Sequence, residues 1–495
     1  MRINKIISNL KELSKLRNSK KKIGLCHGVF DIFHYGHMLH LQKAKKNCDI
    51  LVVSVTSDNF VNKGPNQPVN DSNKRLSILS SIEFVDYVYL SNNQTSEKIL
   101  NTLKPNVYFK GKDYLKGDFT KNLQKEKKIV SKHGGKTFFT NTDLMSSTKI
   151  MNNNFDIWQK DQKNYLTKIA KEKVLKHFQI FTNKIKKTEV NIIGEVILDK
   201  YVYVSPQGMT SKDPAMSMVN EKSEILMGGV LAVAEILSNF VGQVNLYTAS
   251  NSNFLNILKN RKKNIKIINL DPNRKTQIKT RFINANRSEK MLQVTNFKND
   301  NSDISDLNKK LRLLKKKIKK NLIICDYGIG FFSSNMIKFL ESLKIKKYLN
   351  VQTNSLNLGF NSFTKYKKFN YLCLDKREWE IGLQNQKIED KNLVKYSKNN
   401  SNVHFALTDG KYGSTLFYNS SKFYAPVFIS KTVDTTGCGD AYFSITSLLL
   451  INGFKNSLIP FLGNVYAGLH SNFHGNKDIV KKNDYFKFLK SITEF

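Results

Sequence analysis

The sequence predicts an α/β chain built from two parallel-sheet modules in tandem. Short apolar runs of strand length alternate with segments at helical spacing, twice along the chain. A lysine-rich, helix-prone stretch free of Gly and Pro, residues 153–188, separates the two series. Each series also contains a strand, a glycine-bearing turn and a helix start carrying reactive side chains. At 495 residues the chain is too long for one ordinary core.

Taken in order, Ile3, Ile6, Ile7, Leu10, Leu13 and Leu16 have helical spacing, so residues 1–20 are predicted as a basic amphipathic helix packed on the first module. Within residues 21–152, IGLC (23–26), ILVVSVTS (50–57), YVYL (87–90) and VYFKG (107–111) are predicted strands. Gly36–Lys46 and RLSILSSI (75–82) are predicted helices between them. Such alternation specifies a parallel sheet covered on both faces. Residues 153–188 form a helical connector. The second module, 189–495, opens with the strand pattern VNIIGEVILDKY (190–201). KKLRLLKKKIKK (309–320) is a helix with Leu311, Leu314 and Ile318 inward and its lysines on a solvated face.

Hydrophobic residues make up 40% and charged residues 24%, which excludes wholesale disorder. No apolar run approaches the ~18 residues of a membrane span, and the N-terminus lacks the apolar core of a secretory leader. The five cysteines form no CxxC pair, which argues against a disulfide framework or zinc cage and for a reducing cytoplasm. The net charge of +40 is spread over the whole chain. It reads as compositional drift that favours anionic substrates, with no nucleic-acid partner expected because no aromatic-interleaved basic motif appears.

The strongest early signal is GVFDIFHYGHMLHL (28–41), which follows a strand and opens a helix. His34 and His37 lie three apart, on one face of a helical turn. Gly36 permits close approach of a ligand to the backbone. Free N–H groups and the positive end of the helix dipole favour phosphate. Two imidazoles there can stabilise spreading charge on a transferring phosphorus.

This stretch resembles the HxGH nucleotidyltransferases, which implies a Rossmann-like fold over about residues 22–152. On that resemblance Gly28, Phe30, Asp31 and Gly36 belong to the nucleotide site. Arg75, in KRLSILSSIEFVDYVYL (74–90), and Lys63 would contact phosphate. In KPNVYFKGKDY (104–114), Lys110, Gly111 and Asp113 would form the sugar-phosphate side. The hydroxyls of Ser146, Ser147 and Thr148, in MSSTKI, would hold nucleotide phosphates.

The second signal is VDTTGCGDAYFSI (433–445), where Gly437 and Gly439 flank Cys438 immediately before a helix. Successive N–H groups there form a nest for an anion. Asp440, at the start of that helix, can take a proton from a sugar hydroxyl. The motif resembles the ribokinase-like carbohydrate kinases, an α/β sandwich fold. Asp440 would then be the catalytic base and Gly437, Cys438 and Gly439 the anion hole. The resemblance extends along 190–475. Asp199 in GEVILDKY, Gly228 and Gly229 in MGGVLAVA, and Lys279 and Arg281 in KTQIKTRFI would bind the sugar. CDYGIGFF (325–332) resembles the family's D-Y-x-x-G loop, and Gly410 and Gly413 in LTDGKYGSTLF fall at the adenine site. The chain departs from the family pattern at Ala232, at Glu195, at Asp375-x-x-Glu378 and at VQTN (351–354). Glu378 remains the candidate Mg2+ ligand.

The pairing resembles, in reversed order, the bifunctional heptose-phosphate kinase/heptose-phosphate adenylyltransferases of lipopolysaccharide precursor synthesis. It implies ATP and Mg2+ for phosphoryl transfer, ATP or CTP as nucleotidyl donor, and sugar phosphates as substrates. A homodimer is implied by analogy with ribokinase relatives. The alternative is a nucleotidyltransferase fused to a kinase-shaped module that only binds sugar or nucleotide.

Overall fold

The computed structural model describes residues 5–61, 68–93, 95–111, 122–141, 152, 157–296, 307–354, 357–429 and 432–494. The chain divides into two compact units, residues 1–175 with 483–495, and residues 176–482. The division falls inside the stretch read as the helical connector, which forms helices Lys160–Lys171 and Val174–Ile185. The last thirteen residues return to the first unit. There the Asn152 amide donates to the carbonyls of Ser491 and Glu494.

The first unit holds a six-stranded parallel sheet in spatial order Ile6–Ile7, Tyr87–Ser91, Ile50–Thr56, Ile23–Gly28, Val107–Gly111, Lys136–Thr140. Successive strand residues face opposite sides. Leu51, Val53 and Val55 enter one apolar cluster with Leu41, Leu76 and Leu79. Ile50 and Val52 enter the other with Leu13, Leu100 and Leu103. Helices therefore cover both faces, as the alternation predicts.

The expected 1–20 helix is shorter in the structure. Ile6–Ile7 is an edge strand in register with Val88 and Tyr89. Helix Leu10–Lys15 starts only after Asn9, whose side chain accepts the Lys11 N–H. Two adjacent β-branched residues favour the strand, and an Asn cap sets the helix start.

The second unit is built on a nine-stranded sheet. Its spatial order is Ile265–Asn269, Gln243–Thr248, Glu189–Gly194, Asn321–Asp326, Lys346–Val351, Tyr371–Asp375, His404–Thr408, Ser414–Tyr418, Ser421–Ala425. Pairing is parallel up to His404–Thr408 and antiparallel beyond. A separate four-stranded sheet runs Lys290–Asn296, Gln277–Asn284, Val196–Met209, Met216–Gly229. Leu314 and Ile318 are buried in the main core with Leu311 packed against it, as expected for the lysine-rich helix. Among the described residues, no helix is long and apolar enough to cross a membrane.

Candidate active sites

In the first unit the strand Ile23–Gly28 ends in a tight turn before helix Tyr35–Lys45. Phe30 and Ile32 hold positive φ values of 54° and 42°, a conformation that side chains with a Cβ adopt at a cost. Asp31 is buried and holds this turn in place. It accepts the N–H groups of Ile32, Val69 and Asn70. His34 caps the helix, its Nδ1 accepting the His37 N–H at 3.4 Å. The two imidazoles stack with centroids 3.9 Å apart. Phe30 meets His37 edge-on at 5.4 Å, and Phe33 stacks on it at 5.6 Å. A paired imidazole face therefore sits at a helix N-terminus, at the carboxyl end of a parallel sheet, a common place for anion binding in α/β folds. Gly28 closes the strand beneath the Phe30 ring, and Gly36 is buried in the first helical turn.

Arg75 differs from its expected role. It is fully buried, and its five N–H donors are all engaged within the protein. Nε reaches Asn70 O, Nη1 reaches Val29 O and Thr56 O, and Nη2 reaches Asp58 Oδ1 and Ser72 Oγ. It ties together the loops after two strands and the start of helix Ser72–Ser80. Lys110 is likewise buried, 3.1 Å from Glu126, whose other oxygen accepts the Ser96 hydroxyl at 2.6 Å. Burial and the Lys110 charge push neighbouring His27 and His40 down to about 3 and about 4, so both are neutral. Gly111 ends the strand beside Lys110. Lys63, Asp113, Ser146, Ser147 and Thr148 lie outside the described residues.

In the second unit, strand register gathers the predicted sugar-side residues. Asp199 pairs with Lys279, and Tyr201 with Arg281, across two parallel strands. Residues directly opposite share a face, as do residues two apart, so all four project together. Arg281 forms an ion pair with Asp199 and lies over the Tyr201 ring at 5.5 Å. A Cβ at Gly228 would stand 2.5 Å from Asp199 Oδ2, and one at Gly229 2.6 Å from Glu195 O. Gly229 also needs its φ of 56° to start helix Val230–Ser238. Burial lowers the Lys279 pKa, against the attraction of Asp199.

Asp440 is buried in the first turn of helix Cys438–Ile451. Burial pushes its carboxyl up to about 6, offset by hydrogen bonds from Tyr327 and Gln352 and by the Lys279 charge. It is therefore ionised at neutral pH, yet basic enough to receive a proton. Gly437 starts the helix at φ 84°. A Cβ at Gly439 would meet open space. Of the three N–H groups expected to form an anion hole, that of Cys438 is already taken by the Thr435 carbonyl at 3.1 Å. Burial raises the Cys438 thiol pKa to about 12, so it is a neutral, small group in the turn.

Sequence reasoning misses Asp434 and Glu195 as site residues, and each organises one side of this site. Asp434 accepts from Lys290 Nζ, Tyr201 OH, Thr436 N–H and hydroxyl, and Gly475 N–H. Burial opposes its ionisation, but Lys290 and Thr436 outweigh it and hold the carboxyl at about 2. Glu195 accepts the N–H groups of Tyr327, Ile329 and Phe331 at 2.7, 3.1 and 2.8 Å, fixing the loop after strand Asn321–Asp326. Burial, and then the Asp326 charge, raise it to about 7. The sequence does carry signals for both: Asp434 opens the second motif, and Glu195 is one of the departures from the kinase pattern.

Glu378 lines a cavity of about 280 Å3 with Thr353, Asn354, Leu358, Asp375 and Arg377. Both its oxygens accept backbone N–H groups, Oε1 from Thr353 and Oε2 from Asp375, in a reciprocal cap with Asp375. Burial, and then the Asp375 charge, raise it to about 8. With each oxygen already accepting a backbone N–H, Glu378 serves as the reciprocal cap of its helix, and only its remaining lone pairs could face a cation. Among the described residues, no cluster of three His, Cys, Asp or Glu could hold a metal. Gly410 and Gly413 shape the tight turn before strand Ser414–Tyr418. Gly413 has φ 93°, and a Cβ there would stand 2.2 Å from Ala425 O.

The first unit is thus a parallel α/β sheet covered on both faces, with paired imidazoles at a helix N-terminus. Residues 25–153 match the family model described as Cytidylyltransferase-like. Over 112 residues the chain is 46% identical to the bifunctional protein HldE of Campylobacter fetus, covering 22% of this chain and 24% of that protein. Over 129 residues it is 39% identical to the bifunctional protein HldE of Helicobacter pylori, covering 26% and 28%. The chain therefore spans about a quarter of the length of these curated relatives. Solved structures similar to it include phosphofructokinase-2 of Escherichia coli in complex with substrates and products (11% identity, TM-score 0.47, 61% of this chain and 98% of that one). A second is the ribokinase of Thermotoga maritima (14% identity, TM-score 0.45, 61% and 99%).

Proposed function

We propose that this chain is a bifunctional transferase of nucleotide-sugar synthesis. The second unit phosphorylates a sugar or sugar phosphate with ATP. The first transfers AMP or CMP to a sugar phosphate. The observation that carries the reading is a matched pair of helix mouths, each bearing the group its reaction needs. One presents stacked imidazoles and the other a buried, basic carboxylate.

In the kinase step Asp440 takes the proton of the acceptor hydroxyl as its oxygen attacks the γ-phosphorus. The bond from that phosphorus to the bridging oxygen breaks, and ADP leaves with the bridging oxygen. The Gly437 and Gly439 N–H groups face the charge that develops there. Asp199, held by Arg281, orients sugar hydroxyls, and Lys279 adds positive charge beside the acceptor. ATP enters as its Mg2+ complex, and the cation supplies charge neutralisation on the phosphates. In the transferase step a sugar-phosphate oxygen attacks the α-phosphorus and pyrophosphate leaves. His34 and His37 donate hydrogen bonds to the transferring phosphate. That these relatives are bifunctional proteins supports two activities in one chain. An ADP-heptose-like product, serving lipopolysaccharide or another surface polysaccharide, is the finer form of the proposal.

Asp440→Asn should lose ADP release from ATP and sugar phosphate while keeping pyrophosphate release from the nucleotidyl reaction, and His37→Ala should do the reverse. Retention of both activities by both variants refutes the assignment. The engagement of both Glu378 oxygens favours a second reading, in which the kinase-shaped unit only binds its ligand. ADP release with any hexose or heptose phosphate removes it.

A further inference from the structure

Two neighbouring segments converge on one oxygen of Asp440. Strands Asn321–Asp326 and Lys346–Val351 are paired in parallel, with Asp326 opposite Val351. The next residue on each is Tyr327 and Gln352, and the Gln352 N–H to Asp326 O bond of 2.8 Å extends the ladder. Their side chains leave the carboxyl edge of the sheet side by side. Tyr327 OH donates to Asp440 Oδ1 at 3.0 Å, and Gln352 Nε2 donates to the same oxygen at 2.7 Å. Among the described residues Oδ2 receives no hydrogen bond.

Both donors are themselves held. Glu195 takes the Tyr327 N–H. The Asn354 and Asn357 amides donate to Tyr327 O at 3.1 and 3.2 Å. The Asn361 amide donates to Gln352 O at 3.0 Å. An acceptor-only carboxylate dictates which end of the Gln352 amide faces it. Gln352 lies in VQTN, one of the chain's departures from the kinase pattern.

We propose that Gln352 and Tyr327 are positioning residues that clamp Asp440 by Oδ1, aiming Oδ2 at the acceptor hydroxyl and keeping the carboxylate ionised. The inference rests on the kinase reading and adds to it a division of labour between the two oxygens. The other groups facing Asp440 are few. Lys279 comes from strand Gln277–Asn284, Asp199 from strand Val196–Met209, and Glu378 from helix Lys376–Gly382. The thiols of Cys325, Cys373 and Cys438 complete the set. Burial raises Tyr327 and all three thiols well above their ordinary values, so they stay protonated at neutral pH.

The test uses the full chain, MgATP and a panel of hexose 6-phosphates and heptose 7-phosphates, continuing with the acceptor that wild type uses. ADP release is followed from pH 5 to 9. Removing a hydrogen bond to a charged acceptor in Gln352→Leu should move the midpoint of the acid limb of kcat upward by about one to two pH units, with the KM for ATP unchanged within about twofold. Tyr327→Phe should move it in the same direction. Gln352→Glu keeps the shape but places a second carboxyl against Oδ1. It should retain activity at acid pH, where the new carboxyl can still donate, and lose it as pH rises. This variant keeps the test decisive if Gln352→Leu folds poorly. An acid-limb midpoint equal to wild type in Tyr327→Phe, together with Gln352→Glu activity that does not fall as pH rises, overturns the clamp. If wild type releases no ADP with any acceptor, the kinase reading falls, and the clamp with it.

Discussion

Replacing Arg75 with lysine should loosen the framework of the first unit rather than simply weaken nucleotide binding. The guanidinium makes five hydrogen bonds, three of them to carbonyls, that of Thr56 buried and those of Val29 and Asn70 half-buried. An ammonium has three donors at one point and cannot span these partners. At least two of these buried or half-buried acceptors are then left without a donor, each costing up to ~1–3 kcal/mol. The Asp58 partner is 41% exposed, so little is added for its ion pair. The total is roughly 2–6 kcal/mol, a large fraction of the ~5–15 kcal/mol that stabilises a typical domain. For a unit of this size that is roughly 5–20 °C in melting temperature. Calorimetry of the full chain, with the first unit's transition identified by thermal loss of pyrophosphate release, measures it. A melting shift under about 2 °C, together with a rise of about tenfold or more in nucleotide KM, would refute the framework role and restore Arg75 as a phosphate contact.

Gly228→Ala puts a Cβ 2.5 Å from Asp199 Oδ2; we expect the KM for the sugar acceptor to rise at least about tenfold with the ATP KM little changed, read by steady-state kinetics. Gly437→Ala forces an L residue to φ 84° and sets its Cβ 2.4 Å from Asn476 Oδ1, so the urea midpoint of the second unit should fall by the equivalent of ~1–3 kcal/mol. Asp434 has a folded pKa of about 2 against an ordinary 3.8. Its contribution is fully present above the ordinary value and is lost as pH falls through the folded one, so Asp434→Asn should flatten the acid-unfolding curve across that window.

The legible parts of the molecule are those written in local pattern. Strand Ile50–Thr56 is apolar at nearly every position, and helix Leu307–Lys317 carries its inward leucines at regular spacing. Both helix mouths are announced by glycines and reactive side chains within a short stretch of chain. The long-range partners are not legible. That Tyr327 and Gln352 meet Asp440 depends on which strands lie side by side, a matter of pairing between distant segments. Arg75 looks like a phosphate ligand in sequence because burial, which engages its donors, is a tertiary property. Ile6–Ile7 continues a helical spacing by coincidence, and only the open edge beside Tyr87–Ser91 makes it a strand.

The parallel pairing of Gln277–Asn284 with Val196–Met209 also governs how freely this polypeptide can change length. Inserting or deleting a single residue between Asp199 and Tyr201, or between Lys279 and Arg281, inverts everything downstream of it, turning Tyr201 or Arg281 out of the pocket. The far tip of the hairpin, around Met209 and Met216, is solvent-facing and lies beyond that region. Length variation among descendants, or grafted segments in an engineered version, can accumulate at the tip while the stretch near its base stays fixed in count.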